Sequence, residues 1–246
     1  MRFECYRCHQ SVSLRGECGC EDKICLIRAD CRDVLPWLED GAVDLVLTDP
    51  PYGIEQSDYR KSLPDTKGRV YIEEIVGDCN NELAAWIIEW VMEKQIDAVI
   101  WGALNWPNLL PHKGRWICWD KRCDERADRM LGSAFEMAWT NRTSGFDEMC
   151  RVQHGGVVNA DGMGSRRVHP TQKPVVLFTK VLRLRPKKTC VLDPFSGSGT
   201  TGCACRNLRC RCIMVEVEEK YCYVAAGRLG IPPMRCGDEK KGLGLM

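Results

Sequence analysis

The sequence holds no uninterrupted apolar run long enough to cross a bilayer. Its most apolar stretch, Ala84 to Trp106, is broken by Glu89, Glu93, Lys94 and Asp97, charges that are costly in a hydrocarbon core. No membrane partner is expected. The opening residues MRFECYRCHQ carry charge and cysteine where a secretory signal would carry an apolar segment, so a cytoplasmic setting is expected. An excess of one charge is missing too: 35 Lys and Arg against 34 Asp and Glu leave a formal net charge of +1. That excludes a uniformly basic nucleic-acid coat, and any polyanion must be met by local clusters of Lys and Arg. Internal repeats, long low-complexity tracts and the G-x-x-x-x-G-K-[ST] phosphate loop are absent as well, which disfavours a triphosphate ligand.

What is present is the balance of an ordinary globular domain, 44% hydrophobic and 28% charged over 246 residues, enough for one well-buried core. Seventeen cysteines are many, but they are odd in number and scattered, which fits reduced thiols better than a disulfide framework. Cys118, Cys190 and Cys210 fall in or at the edge of predicted strands, where a thiol packs as a small hydrophobe.

From about Lys23, strand-length apolar runs alternate with amphipathic helix-length segments, the pattern of an α/β domain with a mainly parallel sheet. Strands are predicted at 24–29, 43–48, 98–102, 115–119, 136–140, 189–192 and 212–217, and helices at 81–94, 177–184, 200–207 and 219–229. Three parts follow: a Cys-rich extension over 1–22, the α/β domain over 23–231, and a poorly ordered tail over 232–246. The polar stretch 56–77, with Arg60, Lys61, Lys67 and Arg69, and the glycine-rich stretch 143–168, ending in Arg166 and Arg167, read as surface loops; their basic residues could clamp the phosphates of DNA, a solvated basic loop being the alternative.

Two turns carry the chemistry. VDLVLTDPPYG sets an apolar strand directly before Asp49-Pro50-Pro51-Tyr52, and open α/β sheets build their sites at strand ends. Each proline restricts the residue before it to extended backbone and cannot donate, so the turn is stiff. Such a turn can present the Asp49 carboxylate and the Pro50 carbonyl as two converging acceptors. Gripping both hydrogens of an aromatic amino group would draw its nitrogen toward tetrahedral geometry and free its lone pair. Tyr52 offers a flat face for a base rotated out of its duplex. The plain alternative is a helix-capping Asp and a turn that merely ends a strand.

The second turn, Asp193-Pro-Phe-Ser-Gly-Ser-Gly-Thr-Thr, follows a strand and opens a helix. Gly197 and Gly199 let backbone approach a ligand, and a helix N-terminus favours a carboxylate. Glu216 ends the next strand, at the separation where an acid meets ribose hydroxyls. The G-x-G spacing lacks the third glycine of a dinucleotide site, so one adenosyl group with a short zwitterionic tail fits best. Tight strand-to-helix packing is the alternative reading.

Together these residues resemble the DNA amino-methyltransferases, in the permuted order where DPPY precedes the glycine loop. The resemblance runs from about Ile24 to Leu229. It implies a Rossmann-like methyltransferase fold with a seven-stranded, mostly parallel sheet and an antiparallel edge hairpin, placed here at 115–119 and 136–140. It implies S-adenosyl-L-methionine as methyl donor, double-stranded DNA as partner, and adenine N6 as the target that DPPY typifies, with Asp49, Pro50 and Tyr52 catalytic. For the donor it implies Asp30, Asp49, Thr171, Gln172 and Lys173, with Asp193, Phe195, Ser196, Gly197, Gly199, Thr200 and Glu216. Cytosine N4, an RNA adenine, a glutamine side chain and an inactive nucleic-acid-binding relative stay open. Asp at 49 and the motif order argue against glutamine. The family includes dimers, so a homodimer is an expectation.

Cys5-x-x-Cys8 followed by Cys18-x-Cys20 offers four thiolates, enough for a structural zinc that could order a short segment. The second pair is tighter than usual, His9 or Cys25 could substitute, and free thiols are the alternative.

Overall fold

The computed structural model describes residues 2–53, 76–77, 79–125, 133–153, 172–185 and 190–230. The strands are β1 (Ile24–Arg28), β2 (Leu45–Thr48), β3 (Asp97–Trp101), β4 (Arg115–Asp120), β5 (Phe135–Thr140), β6 (Glu148–Arg151), β7 (Cys190–Asp193) and β8 (Arg211–Glu216). The helices are α1 (Cys31–Val34), α2 (Glu82–Glu93), α3 (Val175–Arg183), α4 (Thr200–Leu208) and α5 (Glu219–Arg228).

Among the described residues the strands form one sheet in the order β1-β8-β7-β2-β3-β5-β4-β6. Every pairing is parallel except those of β5, which runs antiparallel to β3 and β4. The sheet therefore has eight strands where seven were expected. The β4–β5 hairpin is present, but β6 pairs beyond it and takes the edge. β6 lies in the stretch 143–168 read as loop, because in its sequence EMCR only Cys150 is buried; an edge strand with so little apolar area leaves no periodic signal. Of the three cysteines placed in strands, Cys190 is buried in β7 and Cys118 is half-buried in β4. Cys210 instead sits in the link between α4 and β8.

Alternate residues of the central strands feed two cores, one on each face. Val46, Ala98 and Ile100 meet α2 through Ile87, Ile88 and Val91. Leu45, Leu47, Val99 and Trp101 meet α3 through Leu177, Phe178 and Val181, and α4 and α5 through Ala204 and Ala225. These three layers bury both faces of the parallel strands.

Strand order places the site. From β2 the chain moves outward to β3, and from β7 it moves the other way to β8, so β2 and β7 lie side by side with Leu45 paired to Val191 and Val46 to Leu192. The order reverses there, and the crevice beyond the carboxyl ends of such a strand pair is where doubly wound sheets bind ligands.

Candidate active site

Two residues at neighbouring strand ends are tied directly: Thr48, the last residue of β2, donates its hydroxyl to Asp193 Oδ1 at 2.7 Å. The DPPY turn after β2 and the glycine turn after β7 consequently open into one cavity of about 380 Å³, within the size range of small-molecule sites. Asp49, Pro50, Tyr52, Gln172, Lys173, Asp193, Phe195, Ser196, Gly197, Thr200 and Glu216 line it, together with Asp30. Gly199 stands behind this wall, and Thr171 lies outside the described residues.

At the DPPY end, Asp49 Oδ1 accepts from the Tyr52 hydroxyl at 2.6 Å, and Oδ2 accepts from the Lys173 ammonium. Lys173 Nζ also donates to Tyr52 Oη at 3.0 Å and lies 3.4 Å from Glu136 Oε2 on β5. Glu136 is paired in turn with Lys121. Burial raises the Asp49 carboxyl above the ordinary aspartate range, opposed by the Lys173 charge and by hydrogen bonds from Lys173 and Tyr52. Burial also works against a charged Lys173, yet the nearby Asp49, Tyr52 and Glu136 raise its pKa well above the lysine norm. Lys173 is thus a fixed cation holding Asp49 in place. Each carboxylate oxygen has two acceptor sites, so Asp49 can still take a hydrogen from an incoming amino group. Tyr52 packs against Gly102, which has φ +75°, and a Cβ there would fall 2.0 Å from Tyr52 Cε1. Only glycine leaves the ring its position.

At the other end the strand-terminal acids organise the turn. Asp193 accepts from Thr48, from the Thr201 hydroxyl and from the Phe195 backbone N–H at 3.2 Å. Burial pushes its pKa up to about 6, against the hydrogen bonds from Thr201 and Thr48. It holds the loop rather than standing free for a ligand. Glu216 accepts from the backbone N–H of Gly197 at 2.7 Å and of Glu218 at 2.9 Å, and burial pushes its pKa up to about 7. The buried Ser196 Oγ takes no hydrogen bond among the described residues. Gly199 has φ +80°, and a Cβ on it would lie 2.8 Å from that of Ala225 on α5.

Asp30 caps α1 by accepting from Arg32 N at 2.8 Å and pairs with the Arg32 guanidinium while facing the cavity. The two ends are joined through Thr200, which donates to the Lys173 carbonyl at 3.2 Å and accepts from Arg228 at 3.2 Å. Glu136, Lys121, Thr48, Thr201, Gly102 and Arg228 were not singled out in the sequence. Thr48 and Thr201 sit within the two quoted motifs, while the other four take their roles from strand pairings and helix contacts far apart in the chain that no local pattern announces.

The description of a DNA methylase family, the N6/N4 type, matches residues 112–227. Over that region the chain is similar to the N6/N4 DNA methylases. The type II methyltransferase M2.DpnII of Streptococcus pneumoniae is 23% identical over 258 residues, covering 85% of this chain and 90% of that one. The type II methyltransferase M.HpaI of Haemophilus parainfluenzae is 26% identical over 234 residues, covering 83% and 73%. Among solved structures, the cytosine-N4-specific PvuII DNA methyltransferase superposes with a TM-score of 0.56 at 16% identity, over 84% of this chain and 86% of that one. At that identity the likeness concerns the fold alone. The family match begins after DPPY, so the placement of Asp49 beside the glycine turn rests on the β2–β7 pairing.

Proposed function

We propose that this domain transfers a methyl group from S-adenosyl-L-methionine to the exocyclic amino group of a base in double-stranded DNA, with adenine N6 as the target. The observation that carries this is the single cavity shared by the DPPY turn and the glycine turn.

The residues present fit the methyl donor. Ser196 Oγ is a buried polar atom without a partner among the described residues, a costly state that a polar ligand would relieve. Glu216 keeps spare acceptor sites for sugar hydroxyls, Phe195 supplies an apolar wall, and Gly197 exposes backbone. Asp30, Gln172 and Thr200, with Thr171, Asp49, Lys173, Asp193 and Gly199, complete the set assigned to holding the donor. When bound, S-adenosyl-L-methionine supplies an electrophilic methyl on a sulfonium.

The remaining work falls to the chain's own side chains. Asp49 and the Pro50 carbonyl accept the two amino hydrogens of the target and localise its lone pair. Tyr52 gives the extruded base a surface, while its hydroxyl and Lys173 keep Asp49 from swinging away. Methyl transfer leaves the nitrogen with one hydrogen too many. Asp49, made more basic by burial, is the acceptor placed to take it.

Purified protein given labelled S-adenosyl-L-methionine and duplex DNA should label the DNA. Asp49→Ala should lower turnover about 10²- to 10³-fold while donor binding persists. Undiminished transfer by Asp49→Ala contradicts the proposal. Digestion to nucleosides should place the label in N6-methyladenine. Label in N4-methylcytosine would overturn the choice of base and leave the transfer standing, and label on RNA alone would overturn the partner. Sedimentation of the same sample tests for the homodimer.

A further inference from the structure

The N-terminal segment is held on the sheet in a defined way. Residues 3–12 form a hairpin in which Cys5 N donates to Gln10 O and Val12 N to Phe3 O, at 2.9 and 2.8 Å. Tyr6 N donates to Leu26 O at 2.7 Å and Cys5 bridges Ile27, so the hairpin covers the otherwise open edge of β1. Few large apolar side chains hold it to the domain core: Val12 is buried, Phe3 packs edge-on against Trp37, and Cys5 and Cys20 are buried thiols.

Cys5, Cys8, Cys18 and Cys20 converge, their four sulfurs lying within 4.8 Å of one another. Cys5 Sγ and Cys20 Sγ are 3.8 Å apart. A zinc–sulfur bond of about 2.3 Å makes the edge of a regular tetrahedron about 3.8 Å. The observed separation is therefore that of two ligands on one zinc, and is well beyond a disulfide bond of about 2.0 Å.

Two turns create the convergence. His9 N donates to Cys5 O at 2.8 Å and His9 adopts φ 55°, which curls the Cys5–Cys8 segment around its thiols. Lys23 N donates to Cys20 O at 2.9 Å, closing the second arm before β1. His9 itself turns to Glu4, with Nδ1 at 3.3 Å from the carboxylate, and is half exposed. Cys25 reaches Cys5 and Cys18 from β1 but does not belong to the four-sulfur group. Arg7, between the first two cysteines, is buried and donates both terminal nitrogens to Asp22 at 2.8 and 2.9 Å and one to Ile24 O at 2.6 Å. The Arg7–Asp22 pair ties the first cysteine-bearing arm to the second.

We infer that Cys5, Cys8, Cys18 and Cys20 bind one structural zinc ion, which fixes the N-terminal hairpin as a cover over the β1 edge of the methylase sheet. The ion takes no part in methyl transfer, so the inference stands or falls apart from the proposed activity. A tetrathiolate site of this kind supplies folding energy that a short segment cannot draw from burial.

Full-length protein purified in reducing buffer should contain one zinc per chain by elemental analysis. Replacement by Co²⁺ should give the visible ligand-field bands and sulfur charge-transfer absorption of a tetrahedral tetrathiolate. Cys8→Ser and Cys18→Ser, at the two half-buried positions, should each lower zinc well below stoichiometry, whereas Cys123→Ser should retain it. Wild-type protein without zinc, a cobalt spectrum lacking tetrathiolate character, or full zinc retention in both ligand variants would overturn the assignment. The wild-type metal content and cobalt spectrum decide the matter even where a variant folds poorly.

Discussion

A carboxylate and an ammonium withdrawn from water lose several kcal/mol of hydration each, and only close pairing with further hydrogen bonds returns it. Asp49 and Lys173 are such a pair, with side chains 16% and 5% exposed. Removing the cation would leave Asp49 and Glu136 buried without their shared partner. Lys173→Ala should therefore cost about 3–5 kcal/mol of stability, read from the urea midpoint, and should slow methyl transfer as Asp49 loses its anchor. Glu216 gives a pH signature. Its pKa in the fold, about 7, lies above the ordinary 4.5, so its contribution to stability is complete below about pH 4.5 and is lost as pH rises through 7. Asp193, at about 6, acts in the same direction. Glu216→Gln should flatten the decline in melting temperature between pH 5 and 8, whereas an unchanged slope would assign the decline to other groups. Affinity for the methyl donor should run the opposite way, falling below pH 7 as the carboxylate gains a proton and loses acceptor capacity.

The strands and helices show how far local sequence reaches. β1, β2, β3, β7 and β8 are nearly continuous apolar runs because parallel strands are buried on both faces, and each was predicted to within two residues at either end. α2 and α5 were similarly plain from their apolar spacing and glycine or charged boundaries. β6 was not, since its one buried residue, Cys150, makes no run. The two chemical turns were legible because proline and glycine act on backbone conformation locally. The Lys173–Asp49–Glu136 chain was not, because it joins residues from β5 and from the ends of two other elements that only the sheet order brings together. Sequence spacing did gather the four N-terminal thiols, whose ligand geometry depends on turns within twenty residues. The fit of the glycine turn against α5 is testable at Gly199. Gly199→Ala should destabilise by about 1–3 kcal/mol for its left-handed backbone alone, with more from the clash at Ala225, and thermal melting with and without the methyl donor would measure both fold and site.

Over the whole molecule, two winding directions start from the β2–β7 seam, and that topology alone unites motifs 144 residues apart in the chain, Asp49 and Asp193. The net charge of +1 leaves DNA attraction to local groups, and the basic positions Arg60, Lys61, Lys67, Arg69, Arg166 and Arg167 all lie outside the described residues. Nucleosides from the DNA of a host expressing the wild-type chain, or its Asp49→Ala variant, can be resolved by mass spectrometry. N6-methyladenine should appear with the wild type and stay at background with the variant. No methylated amino base in either strain, or equal amounts in both, would contradict the site built here around Asp49.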